Sequence, residues 1–104
     1  MALKKKSLTS VSNSIEPMTK ILRLLGHPLR LQTVFLLHQE GELSAGDLCK
    51  HLKSEQTLMS HHLGDLRKIG ILGARRDGKS IIYSLRYPGL PAAIQSLTQL
   101  SNHA

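Results

Sequence analysis

Residues 1–13 show no period; from about Ile15 to Ile69 the apolar positions follow helical intervals, beyond Gly70 they alternate, and near the end the helical interval returns. The spacing predicts a first helix from about Ile15 to Leu25, with Ser14 as its cap and Pro17 in its first turn. Met18, Ile21, Leu22, Leu24 and Leu25 cover more than one stripe of it, so it needs a second apolar partner besides its own core. Gly26-His27-Pro28 breaks the chain. Pro28 opens a second helix whose Leu29, Leu31, Val34, Phe35, Leu36 and Leu37 are apolar almost all round, the mark of a central helix, and Gly41 stops it. Ser44, with Asp47 three residues on, caps a short third helix over Ala45–Leu52 that buries Leu48 and Leu52. A fourth helix follows over Ser54–Ile69, with Ser54 as cap, Leu58, Met59, Leu63, Leu66 and Ile69 as its buried stripe, and Gly70 free to take positive φ at its end. Two helices joined by so short a link as Lys53-Ser54 form a helix-turn-helix.

After Gly70, Ile71–Arg76 and Ser80–Leu85 are strand candidates around Asp77-Gly78, a strong hairpin signal. Tyr87 to Pro91 reads as a linker, and a last helix from about Pro91 to Leu100 spaces Leu90, Ile94, Leu97 and Leu100 four, three and three apart. The expected fold is mainly α with a small β-hairpin, a winged helix-turn-helix over residues 14–104 behind a flexible basic tail at 1–13. The apolar surplus at Ile21 and Leu25 of the first helix, and at Ile94 and Leu97 of the last, predicts a homodimer in which these helices meet across a two-fold axis.

Charge turns this scaffold toward nucleic acid. Fourteen Lys and Arg face seven Asp and Glu, and eight of the cations lie between Lys50 and Arg86 against only Glu55, Asp65 and Asp77. The front of the fourth helix carries Gln56, Thr57, Ser60 and His61, side chains that donate and accept hydrogen bonds as base edges in a DNA major groove require. Arg75, Arg76 and Lys79 on the hairpin, with Lys53 and Arg67 at the flanks, are expected on phosphates; Lys4, Lys5 and Lys6 are more simply solvated. The single cysteine, Cys49, allows no intrachain disulfide; it is a small buried hydrophobe or a redox site activated by Lys50, His51 and Lys53. His27 is expected to cap the first helix, His38 and His51 to lie on the surface, and His62 to flank the core and bond the backbone or a partner. No apolar run reaches the ~20 residues that span a bilayer, and the expected compartment is the cytoplasm. No catalytic set or cofactor loop appears, which argues against an enzyme.

The ordered motifs also resemble a known family. Leu25-Gly26-His27-Pro28-Leu29-Arg30-Leu31, Glu42 to Leu48, Gln56 to Leu63 and Arg75 to Tyr83 are similar to the second-helix opening, third-helix entry, recognition helix and wing of the ArsR/SmtB winged-helix repressors. The resemblance runs from roughly Ile15 to Leu85 and implies a homodimeric repressor on a near-palindromic double-stranded operator. It fails where many members hold metal. Ser44 and Gly46 stand where the metalloid and cadmium sensors carry two cysteines, and Tyr87, Gly89, Leu100 and His103 where zinc sensors carry their ligands. No metal site and no cofactor is therefore expected. Two alternatives remain: a DNA-binding architectural factor without an inducer, and a winged helix turned protein-interaction module, against which the lack of aromatic anchors before Tyr83 speaks.

Overall fold

Pro28–Glu40 is the helix on which the other layers rest. It begins where the sequence predicts, with Pro28 in the first turn and His27 at the N-cap, and ends at Gly41, whose φ of 88° no side chain would favour. His27 caps this helix and not the one before it: its Nδ1 accepts the Leu29 N–H at 3.2 Å. The computed structural model describes the backbone of residues 2–103 and the side chains of residues 13–102. Its elements are α1 (Ala2–Leu25), α2 (Pro28–Glu40), β1 (Glu42–Ser44), α3 (Ala45–Leu52), α4 (Gln56–Lys68), β2 (Leu72–Asp77), β3 (Ser80–Leu85), α5 (Leu90–Ser96) and α6 (Thr98–His103). α2 touches α1, α3, α4, α5, β1 and β3. One core joins them, built from Leu25, Leu29, Val34, Leu37, Leu48, Met59, Leu63, Leu66, Ile71, Leu72 and Tyr83.

Four features differ most from the sequence reading. α1 starts at Ala2, not near Ile15, and Pro17 lies inside it. The three-and-four spacing of Leu8, Val11, Ile15, Met18 and Leu22 continues through the Ser- and Lys-rich stretch that reads as tail. The side chains of Lys4, Lys5 and Lys6 lie outside the described residues. The sheet has a third strand, in the order β1-β3-β2, because Glu42, Leu43 and Ser44 pair antiparallel with Ser84, Tyr83 and Ile82. Three residues are too few to show an alternation; β1 exists because β3 offers it a partner. The hairpin turn is Gly78-Lys79, one residue later than expected, since Asp77 pairs with Ser80. Gly78 has φ 64° and Lys79 has no positive φ, the pattern of a turn with glycine at its first central position. Finally, the last helix is two pieces hinged at Leu97, where the Leu97 and Leu100 N–H groups bond three residues back. The Ser96 and Thr98 hydroxyls donate to the carbonyls of Ala92 and Gln95, competing with the regular ladder.

Candidate nucleic-acid interface

α3 and α4 form the helix-turn-helix, and the turn is made by Lys53, which takes a left-handed conformation at φ 51° and ψ 47°. Its N–H and that of Ser54 both return to the Cys49 carbonyl, reversing the chain within three residues. The two helices start differently. Ser44 caps α3, its hydroxyl accepting the Asp47 N–H at 3.1 Å. Ser54 does not cap α4: the N-cap is Glu55, which makes no side-chain cap bond, and the Ser54 hydroxyl donates to the Glu55 carbonyl. The first N–H groups of α4 therefore lack a side-chain acceptor, an arrangement that suits an anion's oxygen.

Along α4, Met59, His62, Leu63 and Leu66 are buried while Gln56, Thr57, Ser60 and His61 are exposed. At 100° per residue the buried set spans one side and Thr57 and His61 lie nearly opposite it. Leu58, expected in the buried stripe, is 45% exposed, because it falls on the flank about 100° away from Met59. Among the described residues, no side-chain hydrogen bond engages Gln56, Thr57 or Ser60. Gly70, at φ 88°, closes the helix as expected, and the Ile71 N–H returns to the Leu66 carbonyl.

Behind this face lies a network that the motifs did not announce. The Arg30 guanidinium donates from Nε to His62 Nδ1 at 2.6 Å, from Nη2 to Asp65 Oδ2 at 2.7 Å, and from Nη1 to the Leu24 carbonyl at 3.2 Å. Because arginine only donates, His62 must accept at Nδ1 and carry its proton on Nε2. That nitrogen is buried without a partner, and the His27 ring lies 4.3 Å away, centroid to centroid. Burial first, then the Arg30 cation, hold the His62 pKa below its usual range, with His27 and His61 adding to this and Asp65 opposing it. The same Asp65 oxygen stands 3.4 Å from His61 Nε2 on the exposed face. Arg30 sits in the segment Pro28-Leu29-Arg30-Leu31, and a cation in an apolar helix calls for a carboxylate partner, which was the one available signal.

The wing is divided in the same way. Arg76 and Lys79 are exposed near its tip, but Arg75 donates two bonds to Glu42, Nε to Oε2 at 3.0 Å and a second to Oε1 at 3.3 Å. This pair ties β2 to β1 across β3; Arg75 holds the Glu42 carboxyl below its ordinary pKa and Glu42 raises that of Arg75. Arg67 and Lys53 are exposed at the flanks of α4. Cys49 is half-buried against the core, and His51 bonds the Asp47 carbonyl through Nδ1. The His103 side chain lies outside the described residues; among those described, no three His, Cys, Asp or Glu side chains gather into a metal-sized cluster.

The residues expected at a dimer seam separate. Leu25, 5% exposed, belongs to the core at the end of α1 and also lines the apolar groove beside it. Ile21 and Ile94 are half-buried against the same core, and Leu97 is exposed. The outward apolar residues are instead Ile15, Met18 and Leu22 on α1, together with Leu97 and Leu100. Of these, Leu22 and Leu97 border an apolar groove of about 350 Å³, lined also by Leu25, Leu31, Phe35 and Ile94 among others.

Comparison with known proteins agrees with this geometry. The sequence model of the bacterial regulatory proteins of the arsR family matches residues 27–73, which span α2, α3, α4 and the start of the wing. The biofilm growth-associated repressor of Agrobacterium fabrum is 39% identical over 77 residues, 74% of this chain and 65% of that protein. The arsenical resistance operon repressor of Escherichia coli is 40% identical over 73 residues, 70% of this chain and 62% of that protein. The chain thus spans slightly under two thirds of the length of these relatives. The crystal structure of the transcriptional repressor BigR from Xylella fastidiosa superposes with a TM-score of 0.76 at 32% identity, covering 88% of this chain and 93% of that one.

Proposed function

This chain belongs to the ArsR family of bacterial regulatory proteins, and from that premise we propose that it is a sequence-specific repressor of transcription that binds a near-palindromic operator as a homodimer. The observation that carries the reading is the exposed face of α4, where Gln56, Thr57 and Ser60 hold their hydrogen-bonding groups outward and unspent. Arg30 braces the back of this helix through His62 and Asp65. Gln56, Thr57, Ser60 and His61 meet base edges; Arg76, Lys79, Lys53 and Arg67 meet phosphates, as do the uncapped first N–H groups of α4. Arg75 is occupied by Glu42 and ranks last among the phosphate contacts, serving first to brace the wing. Ile15, Met18, Leu22, Leu97 and Leu100 supply the apolar surface for the second copy, since among the described residues they stand exposed. The inducer is not zinc, cadmium or arsenite, because Ser44, Gly46, Tyr87, Gly89 and Leu100 offer those ions no ligand they prefer. Cys49, one half-buried thiol per subunit, is the remaining candidate for a redox signal.

Reading and holding separate in one experiment. Arg76→Ala weakens binding to specific and random duplexes alike and lowers the salt slope by about one unit. Gln56→Ala costs specific binding about 1–3 kcal/mol and leaves random duplexes almost unchanged. Fluorescence anisotropy on both duplexes across a salt series measures it; identical profiles for the two variants contradict the assignment.

A further inference from the structure

The geometry assigns Arg30 a positioning role for the reading face: through Asp65 it sets His61, and through His62 and the Leu24 carbonyl it ties α4 to the end of α1. This rests on the DNA-binding reading above and adds to it a residue that never touches DNA. Arg30 lies in the first turn of α2 with its side chain 12% exposed and its guanidinium spent on acceptors within the protein. Its planar fork reaches three acceptors in two other helices, the Leu24 carbonyl on α1 and His62 Nδ1 and Asp65 Oδ2 on α4. A lysine ammonium lacks the rigid fork that makes three such bonds in these directions at once. The consequence reaches the surface because Asp65 Oδ2 is shared, 2.7 Å from Arg30 and 3.4 Å from His61 Nε2.

The side chain of His61 is 69% exposed, and no other described side chain lies within ion-pair reach of it. An imidazole this open samples several rotamers in solution, and ordering it on a base edge costs entropy. The fixed carboxylate removes part of that cost before DNA arrives. An imidazole can donate to or accept from a base edge in the major groove.

The test starts from a duplex chosen by the parent protein out of a random library, and compares its affinity with that of a random duplex. His61→Ala, Asp65→Asn, Arg30→Lys and the double variants Asp65→Asn/His61→Ala and Arg30→Lys/His61→Ala are measured by anisotropy, with a thermal melt on each. Asp65→Asn retains the Arg30 bonds to His62 and Leu24, so it keeps the test usable where Arg30→Lys melts early. Discrimination between the two duplexes is expected to fall about ten-fold in His61→Ala and by a similar factor in Asp65→Asn and Arg30→Lys. Asp65→Asn/His61→Ala falls no further than His61→Ala alone, since Asp65 acts through that ring, and Arg30→Lys/His61→Ala falls by less than the sum of its two single variants, since only part of the Arg30 effect runs through it. Two results overturn the role of Arg30: full additivity with His61→Ala, or an Asp65→Asn that strengthens binding to both duplexes equally, as mere loss of a negative charge would do. A parent protein with no sequence preference overturns the DNA-binding reading itself and this inference with it.

Discussion

α2 and α1 carry comparable apolar loads and dispose of them in opposite ways. α2 is enclosed: Leu29, Val34 and Leu37 are buried by helices on several sides and by β3 behind. α1 gives Leu25 to the same core and then leaves Ile15, Met18 and Leu22 outward, as α6 leaves Leu100, 69% exposed. The centre of the molecule is closed; its two ends leave apolar side chains exposed. α4 lies between these cases, closed behind by Met59, Leu63 and Leu66 and open in front with polar groups. A core left open with leucine calls for a second protein surface, and a face left open with Gln56, Thr57, Ser60 and His61 calls for hydrogen-bonding edges.

Substitutions in the two regions break this contrast in order of size. Leu66→Ala, in the closed centre, costs about 2–5 kcal/mol of folding free energy and shows in urea denaturation as a lower midpoint; a loss under about 1 kcal/mol would mean the centre is not the folding core. Leu97→Lys, at the open end, leaves the helical signal in place and brings the sedimentation mass to 11.5 kDa. Operator affinity then falls by about 100-fold or more, because two linked half-site contacts become one. An unmutated protein that already sediments at 11.5 kDa at micromolar concentration contradicts the dimer.

The smallest effect belongs to His62. Its folded pKa lies below the 6.5 of a free histidine, so the unfolded chain takes up this proton first on acidification. Its contribution is complete above pH 6.5 and is lost as the pH falls below that value toward the folded pKa, with a slope of at most about 1.4 kcal/mol per pH unit. Denaturation series between pH 8 and pH 5, with the His62 ring followed by NMR, give both quantities. A ring that titrates above 6.5 reverses the sign and contradicts the Arg30 bond to Nδ1.

The helix-turn-helix and the wing were legible because each rests on local rules: the three-and-four spacing through Leu63 and Leu66, the Ser44 cap, the stops at Gly41 and Gly70, and the alternation around Tyr83. What escaped depends on partners distant in sequence. β1 is three residues long and is a strand only because β3 pairs with it. Leu58 and Met59 are equally apolar, and only the packed position of α4 says which one turns inward. Arg75 reads as a free cation until Glu42, 33 residues earlier, is placed beside it. How far Leu25 is taken up by the core depends on the packing of α1 on α2. Arg30 was in plain view within the Pro28-Leu29-Arg30-Leu31 segment, but its acceptors lie 32 and 35 residues away on α4.

The central claim is that two copies of α4 read one symmetric duplex, and selection from a random double-stranded DNA library by the purified full chain tests it most directly. The enriched sequences are predicted to contain an inverted repeat whose half-site centres lie about one helical turn apart or a multiple of it, the spacing a two-fold pair of reading helices imposes. Enrichment of a single unrepeated motif would contradict the dimeric reading, and a library that leaves the selection no more ordered than it entered would contradict sequence-specific binding altogether.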